Sequence, residues 1–295
     1  MRVFVTGASG FIGSAVVKEL INSGHQVLGL ARNESSANSL VAAGAEVHRG
    51  DLTDLSSLRG GAAATDGVIH TGFIHDFSRF KEAAETDRLA IEAMGAQLIG
   101  SNRPLIVTAG IGPRADGRVA TEDTDPIFNP HLPRVSEQAA LSLLMKGVHV
   151  SVVRLPQVHN PAKQGLVSGL IAIARAKGVS VYIDEGLNRW AAVQVLDAAL
   201  LYRLVLEKGL AGRRYHAVDE EGVHLKDIAA AIGRGVKLPV VSKSKEEAAA
   251  HFGWLAIPAS TDMPASSALT QEWLGWHPNQ PGLIADLDEG SSFSI

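Results

Sequence analysis

The chain has 295 residues, a formal net charge of −4 and no cysteine. Without a thiol there can be no disulfide, thiolate zinc site or cysteine nucleophile, and without a lysine–arginine run there is no electrostatic footprint for nucleic acid. The N-terminus enters a strand directly, Arg2 precedes an apolar run too short for a signal peptide, and no stretch reaches membrane-spanning length. A cytoplasmic protein without membrane contact is therefore expected.

Val3 to Gly13 reads V-F-V-T-G-A-S-G-F-I-G, a buried strand turning through G-x-x-G-x-x-G into a helix. Such a turn aims backbone amides and the positive end of the helix dipole at a pyrophosphate. Gly7 is expected to make the tight turn, Gly10 to let the backbone approach the phosphates and Gly13 to allow close helix–strand packing, with Ala8, Ser9, Phe11 and Ile12 completing the cofactor loop. A helical stripe through Ala15, Val16, Leu20 and Ile21 ends at Asn22-Ser23-Gly24, and His25 to Leu30 forms the next strand. The turn thus sits in a complete βαβ unit, which makes nucleotide binding a stronger reading than a purely structural glycine turn.

That second strand ends in Ala31-Arg32-Asn33, with no carboxylate to take ribose hydroxyls and an arginine able to clamp a 2′-phosphate. NADP(H) is accordingly expected over NAD(H), with Arg32 as the selecting residue; Glu34 is a caution, because its carboxylate would repel a phosphate.

Further strands are predicted at Glu46–Arg49, Gly67–His70, Pro104–Thr108 and Val148–Arg154, with helices beginning at Asp54 and covering Phe80–Ile99 and about Leu132–Met145. This alternation predicts an α/β fold of Rossmann type, a doubly wound parallel sheet whose ligands sit at the carboxyl ends of the strands. After Pro156 the pattern loosens. Helices are expected at Val167–Ala176, Leu196–Leu206 and Leu225–Ile232, and strands at Val179–Ile183, Tyr215–Val218 and Lys237–Val241.

Six segments resemble the short-chain dehydrogenase/reductase superfamily, in its extended branch of epimerases, dehydratases and related reductases: T-G-A-S-G-F-I-G from Thr6, G-D-L-T-D from Gly50, V-I-H-T-G from Val68, V-V-R-L-P from Val152, A-A-V-Q-V-L-D-A-A from Ala191 and L-G-W-H-P from Leu274. The resemblance implies that Asp51 and Leu52 contact adenine, that His70, Thr71 and Gly72 line the cofactor ribose, and that Pro156 covers the nicotinamide. It also implies a dinucleotide-binding domain over 1–155 with 191–218 returning to it, and a smaller C-terminal substrate lobe over 156–190 and 219–295. A homodimer is the one macromolecular partner that relatives suggest.

The superfamily's usual tyrosine, four residues before a lysine, is absent. Aligned on Val135-Ser136-Glu137, Pro133 replaces the tyrosine and Glu137 the lysine, while the three tyrosines Tyr182, Tyr202 and Tyr215 are followed four residues on by Gly186, Leu206 and Asp219. Hydride delivery to a carbonyl still needs a group beside the oxygen. Thr108 at the end of the fifth strand is the first candidate, or else an ordinary strand threonine; His131, before the altered helix, and Tyr182 are further candidates for catalysis. His75 and His159 occupy neighbouring loops, and Arg134 with Glu137 reads as an exposed helical ion pair. Eleven histidines form no H-x-x-x-H or H-E-x-x-H pattern, so no metal is expected, and no G-x-S-x-G elbow occurs. The leading expectation is an oxidoreductase that reduces a carbonyl or imine-like group of a small apolar molecule. The alternatives are a nucleotide-sugar epimerase or dehydratase, which the missing tyrosine–lysine pair disfavours, and a protein that senses NADP(H) without turnover.

Overall fold

In the computed structural model, which describes residues 1–114, 116–125, 134–290 and 293, the first half of the chain alternates strand and helix as its pattern predicts. In chain order these are β1 (Arg2–Thr6), α1 (Phe11–Asn22), β2 (Gln26–Ala31), α2 (Glu34–Ala42), β3 (Glu46–Arg49), α3 (Leu55–Ala63), β4 (Gly67–His70), α4 (Phe80–Gly95), β5 (Leu105–Gly110), α5 (Ser136–Ser142) and β6 (Val150–Leu155). The second half contributes β7 (Gln157–His159), α6 (Leu166–Lys177), β8 (Ser180–Ile183), β9 (Arg189–Gln194), α7 (Val195–Lys208), β10 (Arg214–His216), β11 (Glu220–His224), α8 (Leu225–Val236), β12 (Val240–Lys243), α9 (Lys245–Phe252), α10 (Ala256–Ser260), α11 (Ala268–Leu274) and α12 (Leu283–Asp288).

Seven strands form one parallel sheet in the order β10-β6-β5-β4-β1-β2-β3. The order reverses between β1 and β4, so a crevice opens above these strands, where the glycine turn lies. Alternation along β1 divides the core. Val3 and Val5 face α1 and α7 with Val16, Leu20 and Leu201, while Phe4 faces α3 and α4 with Leu58, Ile91 and Met94. A separate core in the C-terminal lobe gathers Val167, Leu170, Ile171, Trp190, Ile228, Phe252 and Leu283.

The lobe holds two small sheets, β11-β9-β7 and β12-β8. Three of their strands escape the sequence pattern for visible reasons: β7 has three residues, β11 reads E-E-G-V-H with one large apolar side chain, and β9 runs straight into α7 without a turn. The long helix expected to Ile99 stops at Gly95, and the one expected over Leu132–Met145 is helical from Ser136 to Ser142, with 126–133 outside the described residues. Of the C-terminal tryptophans, Trp276 is buried in the main core, Trp273 packs against the same core and on Tyr215, and Trp254 is half exposed. No helix among the described residues is long and apolar enough to cross a membrane.

Acidic side chains fasten the C-terminal segment. Asp197 accepts from the Asn279 and Gln280 amides, and Glu220 from the Leu283 amide at 2.6 Å. His159 Nδ1 lies 2.6 Å from Asp286 Oδ2, both side chains being inaccessible to solvent, and His159 Nε2 and Asp286 Oδ1 find no partner. Burial disfavours both charged forms, pushing the imidazole down to about 4 and the carboxyl up to about 6. Between those values the folded pair keeps its single proton on Asp286, whereas the unfolded chain keeps one on His159. The two contributions oppose, and the pair leaves stability nearly flat with pH. Asp286→Asn should expose the histidine's half alone: a depressed imidazole stabilises fully above its unfolded value of 6.5 and loses that contribution as pH falls toward about 4. At roughly 1.4 kcal/mol per unit, the variant's unfolding free energy should drop by up to about 3 kcal/mol more than the wild type's across that window. Urea titrations at its two ends check this, and parallel pH slopes for the two proteins would refute it.

Candidate active site

The glycine turn is built by contact as much as by conformation. Gly7 has φ +66°, and a Cβ there would lie 2.8 Å from the Gly72 Cα. A Cβ at Gly13 would drive into the Gly7 carbonyl, so α1 can approach β1 this closely only with glycine at both positions. Gly10 N–H donates to Gly7 O at 2.8 Å, and Gly10, preceding the first helical residue, has no side chain to cap the amides of the turn that follows. Those amides and the dipole of this helix fit a pyrophosphate. Ala8 is buried, Ser9 is exposed, and Phe11 and Ile12 are half-buried at the helix start.

Arg32 is exposed at the end of β2, and Asn33 turns its side chain inward to cap α2 through the Ser36 amide. Glu34 does not face Arg32's surroundings uncompensated, because both its oxygens accept from Arg49 at 2.8 and 2.7 Å. Asp51 Oδ1 accepts from the amide and hydroxyl of Thr53, which orders the loop after β3, and Leu52 packs against Gly72. Pro156 lies half-buried between β6 and β7. The residues named for the dinucleotide thus lie at the carboxyl ends of the parallel strands β1 to β4 and β6.

Beneath them runs a buried chain of hydrogen bonds. Thr71 Oγ1 donates to Thr6 O at 2.8 Å, and the Gly72 amide donates to Thr6 Oγ1, leaving the Thr6 proton for His70 Nδ1 at 2.7 Å. His70 Nε2 then donates to Asp87 Oδ1 at 3.1 Å. Asp87 Oδ2 accepts from Ser136, whose Oγ accepts from Arg134 Nε at 2.8 Å. Burial would raise the Asp87 carboxyl, but hydrogen bonds from His70 and Ser136 and the nearby charges outweigh it and hold the group below the usual carboxylate range. His70 therefore offers no side-chain atom to a ribose. Both of its ring nitrogens face inward, and its carbonyl accepts from Thr108.

Thr108 is engaged on the same inner side. Its hydroxyl donates to His70 O at 2.8 Å and receives the Tyr202 phenol at 2.6 Å, so its proton is turned away from the crevice that the strand end was expected to serve. Burial raises the Tyr202 phenol further above its ordinary value. Tyr182 lies elsewhere, on β8 of the lobe against Gly186, and His131 falls outside the described residues.

The expected Arg134–Glu137 ion pair does not form. Glu137 is buried and grips Arg154 with both oxygens (2.6 and 2.8 Å) while accepting from Arg214 at 2.7 Å, so two guanidinium groups neutralise the carboxylate that stands in the family's lysine position. Arg134 turns the other way, its Cζ stacked 4.1 Å over the Phe73 ring, its Nη2 3.3 Å from Thr108 O, its side chain 27% exposed. Asp87, Ser136 and Arg134 went unread as a unit. The one sequence signal was an aspartate on the buried stripe Ala83, Asp87, Ala90, Ile91, Met94 of α4, where a charge demands a partner. Among the described residues no cluster of three or more histidines and acids is placed to hold a metal ion.

Residues 3–97 match the model of the NAD dependent epimerase/dehydratase family. An uncharacterized protein of Schizosaccharomyces pombe is 47% identical over 99% of this chain and 100% of its own length. A 2-alkyl-3-oxoalkanoate reductase of Stenotrophomonas maltophilia is 26% identical, covering 83% of this chain and 78% of its own. Among solved structures, a dTDP-glucose 4,6-dehydratase of Streptomyces venezuelae with NAD bound superposes with a TM-score of 0.78 at 18% identity, covering 99% of this chain and 96% of the other. With the sheet order and the glycine turn already in hand, these likenesses make the chain a member of the NAD-dependent epimerase/dehydratase family, within the extended short-chain dehydrogenase/reductase superfamily.

Proposed function

We propose that the chain is an NADP(H)-dependent oxidoreductase that reduces a carbonyl or imine-like group of a small molecule with an apolar body. The observation that carries this reading is Arg134. A guanidinium is held beside the cofactor loop by a buried chain that starts in the glycine turn's own strand, and it keeps part of its surface open. A relative named as an oxoalkanoate reductase supports carbonyl reduction. The preference for NADP(H) rests on Arg32, exposed where an acid would otherwise bind ribose hydroxyls, and on Glu34 being neutralised by Arg49.

A bound dinucleotide supplies the hydride. Arg134 stabilises the negative charge that grows on the substrate oxygen and, remaining cationic, does not itself give up a proton. Tyr202 is sealed in the core, and partial desolvation together with the charges of Arg134 and Lys163 keeps His75 below its usual value. Among the described residues neither group is placed to give up a proton readily, and the proton is assigned to water.

Two outcomes test these roles. In fluorescence titrations NADPH should bind more tightly than NADH, and Arg32→Ala should weaken NADPH about tenfold, the worth of a charge-assisted pair, while sparing NADH. Tighter NADH binding in the wild type would sink the assignment. In NADPH-consumption assays across aldehydes, ketones and imines, Arg134→Met should lower kcat about a hundredfold with little change in NADPH affinity, and Arg134→Lys should restore part of it. A methionine variant with wild-type kcat would remove Arg134 from the chemistry.

A further inference from the structure

The mouth of the crevice is basic and aromatic. Lys163, in the loop after β7, sets its ammonium 5.4 Å from the centroid of the Phe11 ring, and it has no ion-pair partner among the described residues. Across from it, Arg134 stacks on Phe73, and the His75 ring meets Phe73 edge-on at 5.3 Å. The nearby carboxylates are already engaged. Asp76 is bound by the amide and hydroxyl of Ser78 and has the Arg79 guanidinium beside it, and Asp87 is held by His70 and Ser136. Three basic side chains from three separate loops therefore lie close together beside two aromatic rings, and no acid among the described residues pairs with Lys163.

Lys163 is exposed to solvent and its charge is unmatched among the described residues, which favours an anion beside it. The size of that charge can be bounded. Arg134 donates to Ser136 and lies 3.9 Å from Asp87, while partial desolvation and the two flanking cations lower His75 below its ordinary value. About one full positive charge, on Lys163, remains to be met, which suits a carboxylate better than a phosphate dianion. The glycine turn already provides amides for the cofactor's phosphates, and the loops bearing His75, Arg134 and Lys163 follow β4, β5 and β7, on the far side of the turn from the adenine end.

We propose that Lys163, with His75 and Phe11 beside it, is the anchor for a carboxylate on the substrate, so that the molecules reduced are oxo acids or their imine counterparts with an apolar chain. This deepens the oxidoreductase reading and rests on it for the reacting group, but the anion site can be measured without turnover. Calorimetric titration of the NADPH-saturated protein with hexanoate and, separately, with hexanamide compares the same apolar chain with and without the charge. Hexanoate should bind at least about tenfold tighter, and Lys163→Met should shrink that margin to about twofold or less. Equal binding of acid and amide, no binding of hexanoate, or a margin that survives in Lys163→Met would each overturn the proposal. So would a variant that loses NADPH affinity while keeping the margin, since Lys163 would then serve the cofactor's phosphates. If the margin behaves as expected and no oxo acid consumes NADPH, the carboxylate site stands and the oxidoreductase reading falls.

Discussion

Everything at the carboxyl edge of the sheet depends on how closely the strand-to-helix turn packs against the loop after β4. Gly7 and Gly13 have no room for a Cβ, and Thr71 and Gly72 bond directly to Thr6. This contact fixes the direction in which the Thr6 hydroxyl points and thereby the orientation of the His70 ring. Once that ring is set, a carboxylate must meet its other nitrogen in a place sealed from water, and Asp87 does so from α4. An acid buried this deeply is tolerable only if its second oxygen is also satisfied, which ties it to Ser136 and, through that hydroxyl, to Arg134. A packing requirement at the glycine turn is thus transmitted through four side chains, Thr6, His70, Asp87 and Ser136, to the Arg134 guanidinium.

The legible part of this arrangement was the part written in local chemistry. Glycine spacing and apolar runs speak for themselves because each acts on its immediate neighbours in sequence. The order of the sheet followed from repeated strand–helix units. What could not be read were the directions of side chains whose partners lie far along the chain. Thr108 is separated from Tyr202 by 94 residues, and its hydroxyl is turned inward by that contact and not by anything near it in sequence. Arg134 and Glu137 have ideal spacing for a helical pair, yet Arg154 and Arg214, 17 and 77 residues beyond Glu137, draw it away. Short polar strands such as β11 exist because β9 pairs with them, and no period in E-E-G-V-H announces it.

The altered motif becomes intelligible as a relocation of charge. In the family's usual arrangement a lysine four residues after the tyrosine lends positive charge to the acid. Here that position holds Glu137, which would put negative charge beside a developing oxyanion were it exposed. Two arginines from β6 and β10 cancel it inside the core and turn it into a structural tie between α5 and the sheet. On the proposed reading the positive charge comes instead from one turn earlier, where Arg134 is held by a neutral hydroxyl and a carboxylate that already serves His70, and keeps its outer face open. On the proposed reading this exchange has a chemical consequence. A guanidinium stabilises charge but holds its protons, so a site built on it selects for substrates whose oxygen can be protonated from water, and it leaves the neighbouring lysine unspent for recognising what else the substrate carries.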